Sequence, residues 1–216
     1  MSKIYWLELA RQGSVLPFLA SAAVEGVPVA CVCGPFSRAR GADAETPWPQ
    51  RLVEAESAVA REIRSLAVAG SPAIVVEEPE LNVSTLPQPF ESVVLEHYAR
   101  LREVFLDARV DALLQVTGVL TRDHVSGLAR ALHPAVLSLG PSRPLCEDVA
   151  LVPKDIVLHG NLDSSLFTGS MDDLTRHALR LRREMRATGH PHLLGTDGSA
   201  LTCLALPEYL EALLTV

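Results

Sequence analysis

Two adjacent carboxylates leave an apolar run at Ala73–Val76 (AIVV) and meet a proline: Glu77-Glu78-Pro79. Successive residues of a strand point to opposite faces, so one carboxylate can face a pocket while its neighbour braces the wall. A carboxylate in that place can bind a substrate cation, accept a proton or hold an arginine. Glu78 is the expected catalytic group and Glu77 its companion at the substrate. Other polar residues follow apolar runs in the same way. They are Cys33 before Gly34-Pro35, Gln115 in Gln115-Val116-Thr117-Gly118, Ser138 before Leu139-Gly140, His159-Gly160-Asn161-Leu162-Asp163, and Asp197 in Gly195-Thr196-Asp197-Gly198. Of these, His159 and Asp197 are the expected proton carriers. Gln115 and Asn161 would orient a substrate by hydrogen bonds, and Cys33 is counted with the substrate-binding residues. Asp163 is counted with the substrate-binding residues, although capping the turn that follows it suits it better. The plain alternative for each is a residue that caps a helix or satisfies a turn.

Other chemistries lack their residues. There is no GxGxxG, no GxxxxGK[ST] and no GxSxG. Cys31 and Cys33 alternate within one strand and share a face, which suits buried thiols better than metal ligands. His190-x-His192 sits beside Gly189 and Pro191 at the wrong end of a strand and reads as a loop. No metal site is expected, and no cofactor is indicated.

Side chains at strand ends need strands to carry them. Val27–Cys33, Ala73–Val76, Asp111–Thr117, Ala135–Leu139, Asp155–His159 and His192–Leu194 are apolar, β-branched runs. Between them lie stretches with apolar residues at helical spacing: Pro49–Ala69, Phe90–Leu106, Arg122–Leu132 and Met171–Ala187, with Pro207–Leu214 at the end. Gly41–Gln50 and Asn82–Pro89 are proline-containing loops, and Ser142–Val149 is an irregular link. Ile4–Leu9 and Val15–Val24 would add one more strand and helix. Continuous apolar strands alternating with helices imply a parallel sheet covered by helices. An open doubly wound sheet and a closed barrel both satisfy this. In either, functional groups gather at the C-terminal strand ends.

Composition narrows the classes. The chain has 216 residues, 48% apolar and 21% charged, which is ordinary for a globular protein. A formal charge of −7 argues against a nucleic-acid partner. The basic stretch Arg176–Arg186 reads as a solvated helix face. No apolar stretch is long enough for a membrane span, and four cysteines are too few for a disulfide scaffold. A cytoplasmic, reducing setting and one domain over residues 1–216 are expected, with an atypical N-terminal segment over 1–26.

Several of these segments, taken in order, resemble the superfamily that unites uroporphyrinogen decarboxylases, corrinoid-linked methyltransferases and cobalamin-independent methionine synthase. Val29–Arg38 (VACVCGPFSR) resembles the family's strand followed by a Gly-Pro-Phe turn. Ala73–Leu81 (AIVVEEPEL) is similar to the methionine-synthase-like strand with its acidic-Glu-Pro-x-Leu ending. His159–Leu166 (HGNLDSSL) resembles the decarboxylase turn, and His192–Leu214 the family's C-terminus. The resemblance covers about residues 27–216. It implies a (β/α) TIM-type barrel truncated at the N-terminus, with Val27–Cys33 standing as the third strand of the eight-unit form. A partial barrel leaves strand edges open. A homodimer, or a partner chain completing the barrel, is therefore expected.

The resemblance also implies what is missing. In the methyltransferase branches a His-x-Cys pair after the fifth strand binds zinc with a later Cys. Here those positions read Gln115-Val116-Thr117, and the late Cys falls near Gly198, with Cys203 a few residues beyond. Gln and Thr cannot hold zinc as His and Cys do. The tetrapyrrole-contacting Arg and Asp of the porphyrin branch fall in the absent units. The expectation is an enzyme acting on a small polar metabolite by decarboxylation or methyl transfer without the usual zinc. The alternative is a non-catalytic, shortened barrel acting as a binding or partner subunit.

Overall fold

The computed structural model describes residues 29–87 and 91–195. The segment 1–26, Asp197, Cys203 and the stretch 207–214 lie outside the described residues. Among the described residues six strands form one sheet: β1 (Ala30–Cys33), β2 (Ala73–Glu78), β3 (Asp111–Val116), β4 (Val136–Leu139), β5 (Val157–His159) and β6 (His192–Leu193). All pair in parallel, in the order of the chain, β1 to β6. Five helices connect or follow them: α1 (Pro35–Gly41), α2 (Trp48–Val68), α3 (Glu96–Ala108), α4 (Arg122–Ala131) and α5 (Met171–Thr188).

The strand order decides where the helices lie. Crossovers between parallel strands are right-handed, so an order that never reverses sends every connecting helix to the same face. The core shows this. Val32, Ile74, Val76, Leu114, Leu137 and Leu158 of the strands pack with Val59 and Ile63 of α2, Leu101 and Phe105 of α3, Leu128 of α4 and Leu174 of α5. The opposite face carries a separate cluster built from the sheet side alone: Val29, Val75, Leu113 and Val136, flanked by Cys31, Ala73 and Val157. Among the described residues the order has no reversal, and so no switch point of the doubly wound kind.

Local signals account for the elements. Thr121 caps α4, its hydroxyl accepting from the His124 N–H at 3.3 Å while the His124 ring accepts from the Thr121 N–H at 3.4 Å. Ser170 caps α5, which ends at Gly189 in the left-handed region (φ 67°). One element departs from expectation. Gly34-Pro35 does not simply end β1; it starts α1, because proline at the first helical position has its φ already set and no N–H to lose. A wide π-type turn, Glu91–Leu95, leads into α3. Among the described residues no helix is long and apolar enough to cross a membrane.

Candidate active site

The register aligns side chains across the sheet. On the face away from the helices, Cys31, Val75, Leu113, Val136 and Val157 lie side by side on β1 to β5. Two residues further along each strand the row becomes polar: Cys33, Glu77, Gln115, Ser138 and His159. Two residues of strand advance about 6.6 Å, so the polar row stands one side-chain layer above the apolar one, at the C-terminal ends. Cys33 is exposed and Glu77 and Gln115 are half-buried, while Ser138 and His159 are buried. The β1–β3 side of the row is therefore the reachable side.

Glu78 points the other way, into the helix layer. It shares a face with Ile74 and Val76, and it is fully buried. Its carboxylate accepts from the Phe36 N–H (3.0 Å), the Ser37 N–H (2.8 Å), the Ser37 hydroxyl (2.6 Å) and the Tyr98 hydroxyl. Glu78 was the expected catalytic group and Glu77 its companion; it is Glu77 that lies on the face away from the helices and Glu78 that is buried among them. Gly34 makes room, since a Cβ there would lie 2.1 Å from Glu78 Oε1. Burial pushes the Glu78 carboxyl up, against the four donors, and burial beside Glu78 pushes the Tyr98 hydroxyl well up. Glu78 thus ties β2 to the first turn of α1 and to α3.

His159 is placed by its neighbours. Its Nδ1 lies 3.0 Å from Ser138 Oγ, and a Cβ on Gly195 would come 2.0 Å from Nε2. Burial, then the nearby His192, lowers its pKa to about 4, so the imidazole is neutral at ordinary pH. A neutral imidazole can both donate and accept a hydrogen bond. His192 donates to Gly160 O (2.6 Å) and His190 to Ile156 O (2.9 Å), so both serve as loop braces. Cys33 is held as a thiol: burial and the Glu78 charge push it up, against Arg38.

The remaining expected residues divide. Gln115 stands in the row beside Glu77. Asn161 does not join it: its amide donates to Gly140 O (3.0 Å) and Arg143 O (2.8 Å), pinning the loop after β5 to the loop after β4. Asp163 is exposed and caps the next turn, accepting from the Ser165 N–H at 2.8 Å; the Ser165 hydroxyl first, then this N–H, lowers its pKa. Asp197 lies outside the described residues. Ser138 and the Arg143–Asp148 pair were given no role from the sequence. Asp148 is 1% exposed and accepts from Arg143 Nε (2.9 Å) and Nη2, while Arg143 Nη1 donates to Leu120 O (3.1 Å). That pair fastens the loops after β3 and β4. Its one sequence signal is the opposite charges five residues apart.

Among the described residues no three His, Cys, Asp or Glu side chains converge as a metal site. At the opposite, N-terminal end of the strands lies a cavity of about 230 Å³, lined by Arg102, Phe105, Asp111, Leu132, His133 and Asp155 among others. None of the expected site residues that are described lines it.

Comparison with known proteins yields fold but not family. No protein-family model matches the chain, and no curated protein matches it. Solved structures do match. One is a methyltransferase from Methanosarcina mazei, with a TM-score of 0.72 and 16% identity. The match covers 93% of this chain and 60% of that one, so the chain spans about three-fifths of its length. At that identity the likeness is one of fold.

Proposed function

We propose that the face away from the helices is the lining of a (β/α) barrel wall, and that the polar row at its C-terminal rim is the active site of an enzyme for a small polar metabolite. The observation that carries this is the row itself. Five adjacent strands each place a polar or thiol side chain at the same level, directly above an apolar row. Functional groups at strand C-termini are the habit of parallel barrels. The shared fold with a methyltransferase supports methyl transfer as the reaction class, with decarboxylation the other member suggested by the sequence resemblance. The truncated barrel, the cytoplasmic setting and a second chain completing the wall belong to the same proposal.

In this reading Glu77 takes the role first given to Glu78: it binds a positive group or accepts a proton. Gln115 and Cys33 flank it and orient the substrate. His159, neutral and held by Ser138, relays a proton at the buried end, and Asp197 remains a proton carrier in the same scheme. Asn161, Asp163, Arg143 and Asp148 hold the loops.

A second reading is a barrel subunit that binds without catalysing; the positions Gln115-Val116-Thr117, which lack the His and Cys of the zinc-binding branches, favour it. Both are tested by incubating the protein with a metabolite extract and following masses. Gain or loss of a methyl group, or loss of carbon dioxide, that disappears in Glu77→Gln supports the enzyme. Retained compounds with no mass change support the binding subunit. Conversion that survives Glu77→Gln and Gln115→Ala refutes this site.

A further inference from the structure

The cavity at the N-terminal end of the strands has a chemistry of its own, apart from the rim. Its floor is apolar, with Phe105 of α3 and Leu132 after α4 both buried. Its mouth is charged. Arg102 stands three residues before Phe105 on α3, so the two share a face of the helix. Asp111 opens β3, and Asp155 lies just before β5. Among the described residues no side-chain hydrogen bond or ion pair holds Arg102 or Asp111, to each other or to anything else. His133 fixes the third side. Its backbone lies in the left-handed region (φ 50°), which glycine enters most readily, and its ring reaches Asp155 at 3.4 Å. The lining therefore offers an unpaired cation, an unpaired anion and an apolar floor around a space of about 230 Å³. A water takes ~30 Å³ of liquid, so that space holds a molecule of about eight non-hydrogen atoms.

We propose that this cavity binds a free α-amino acid with an aliphatic side chain, as a second site independent of the rim. Arg102 takes the carboxylate and Asp111 the ammonium, each in a charge-assisted hydrogen bond, and the side chain rests on Phe105 and Leu132. The pairing of signs selects the class. A simple anion would leave Asp111 and Asp155 facing it, and a simple cation would leave Arg102 facing it. A zwitterion satisfies both charges at once. His133, tied to Asp155, closes the side toward β5.

The test compares L-valine with the two compounds that each lack one of its charges: isovalerate, without the ammonium, and isobutylammonium, without the carboxylate. Titration of the full chain is followed by NMR, with the His133 ring signals as the mark of location. L-Valine should bind at millimolar concentration or below and shift those signals. Each truncated compound should bind about tenfold to a hundredfold more weakly, the worth of one hydrogen bond to a charged group. Arg102→Gln should weaken valine by a like factor without weakening isobutylammonium. Asp111→Asn should weaken valine without weakening isovalerate. Both side chains are exposed, so both variants should fold, which circular dichroism checks. No valine binding at millimolar concentration, a truncated compound that binds as well as valine, or valine binding that ignores both substitutions overturns the proposal.

Discussion

Replacing Glu78 and Glu77 by alanine, one at a time, separates the two faces of β2. Glu78 satisfies three donors on buried residues: the Phe36 and Ser37 N–H groups and the Tyr98 hydroxyl. The Ser37 hydroxyl, a fourth, also accepts from the Glu80 N–H at 3.0 Å and can turn elsewhere. Each stranded buried donor costs about 1–3 kcal/mol. Water entering the vacated space relieves part of this, which brings Glu78→Ala to about 3–5 kcal/mol, the range for a broken buried network. That is a large share of the ~5–15 kcal/mol that stabilises a typical domain. Glu77 is half-buried at the rim, and Glu77→Ala should cost no more than about 1 kcal/mol. Urea unfolding followed by circular dichroism reads both. At a slope of ~2–3 kcal/mol per molar, the Glu78 variant's midpoint should fall by about 1–2 M and the Glu77 variant's by less than about 0.5 M. Equal losses, or a larger loss at Glu77, would refute the assignment of faces.

Three further substitutions probe the rest of the site. His159 has its pKa lowered from 6.5 to about 4, so the folded chain binds fewer protons than the unfolded one, and stability falls as pH drops through that window. The shift corresponds to about 3 kcal/mol. Urea unfolding at about pH 7.5 and about pH 4 should show the wild-type chain losing that much more than His159→Asn; parallel losses would contradict it. Gly195→Ala drives a Cβ to 2.0 Å from His159 Nε2. The ring must move, and its NMR titration should shift upward toward the ordinary histidine value; an unchanged titration would show that the loop yields instead. Asp148→Ala strands Arg143 in a mostly buried setting and should cost about 3–5 kcal/mol in the same urea assay, with less than about 1 kcal/mol contradicting the brace.

The alternation of strands and helices was legible because each helix carries apolar residues at helical spacing and each strand is a short apolar run. Pro49–Ala69 was expected and Trp48–Val68 is helical; Arg122–Leu132 was expected and Arg122–Ala131 is helical. The common level of Cys33, Gln115 and His159 in the sheet was legible too, since each follows an apolar run. The face was not. Ala73–Val76 is apolar on both sides because a parallel sheet is covered on one face and packed on the other, so no alternation tells which glutamate turns inward. Register settles it: Glu77 pairs with Cys33 and Gln115, one step from the helix-facing Val76. Asn161 had a plausible type for substrate contact, but two carbonyls of neighbouring loops claim its amide. Asp163 caps the turn that follows it, the role that suited it better from the start. The start of α1 was missed because Gly34-Pro35 was read as an ending when proline also begins helices. Asp148 was missed because its burial depends on Arg143 folding back over it.

The most direct test of the account is the position of a bound molecule. Crystals soaked in a mixture of small polar metabolites should show density against Cys33, Glu77 and Gln115 at the C-terminal ends of β1 to β3. Density only in the cavity of Arg102, His133 and Asp155, at the opposite end of the strands, would contradict it.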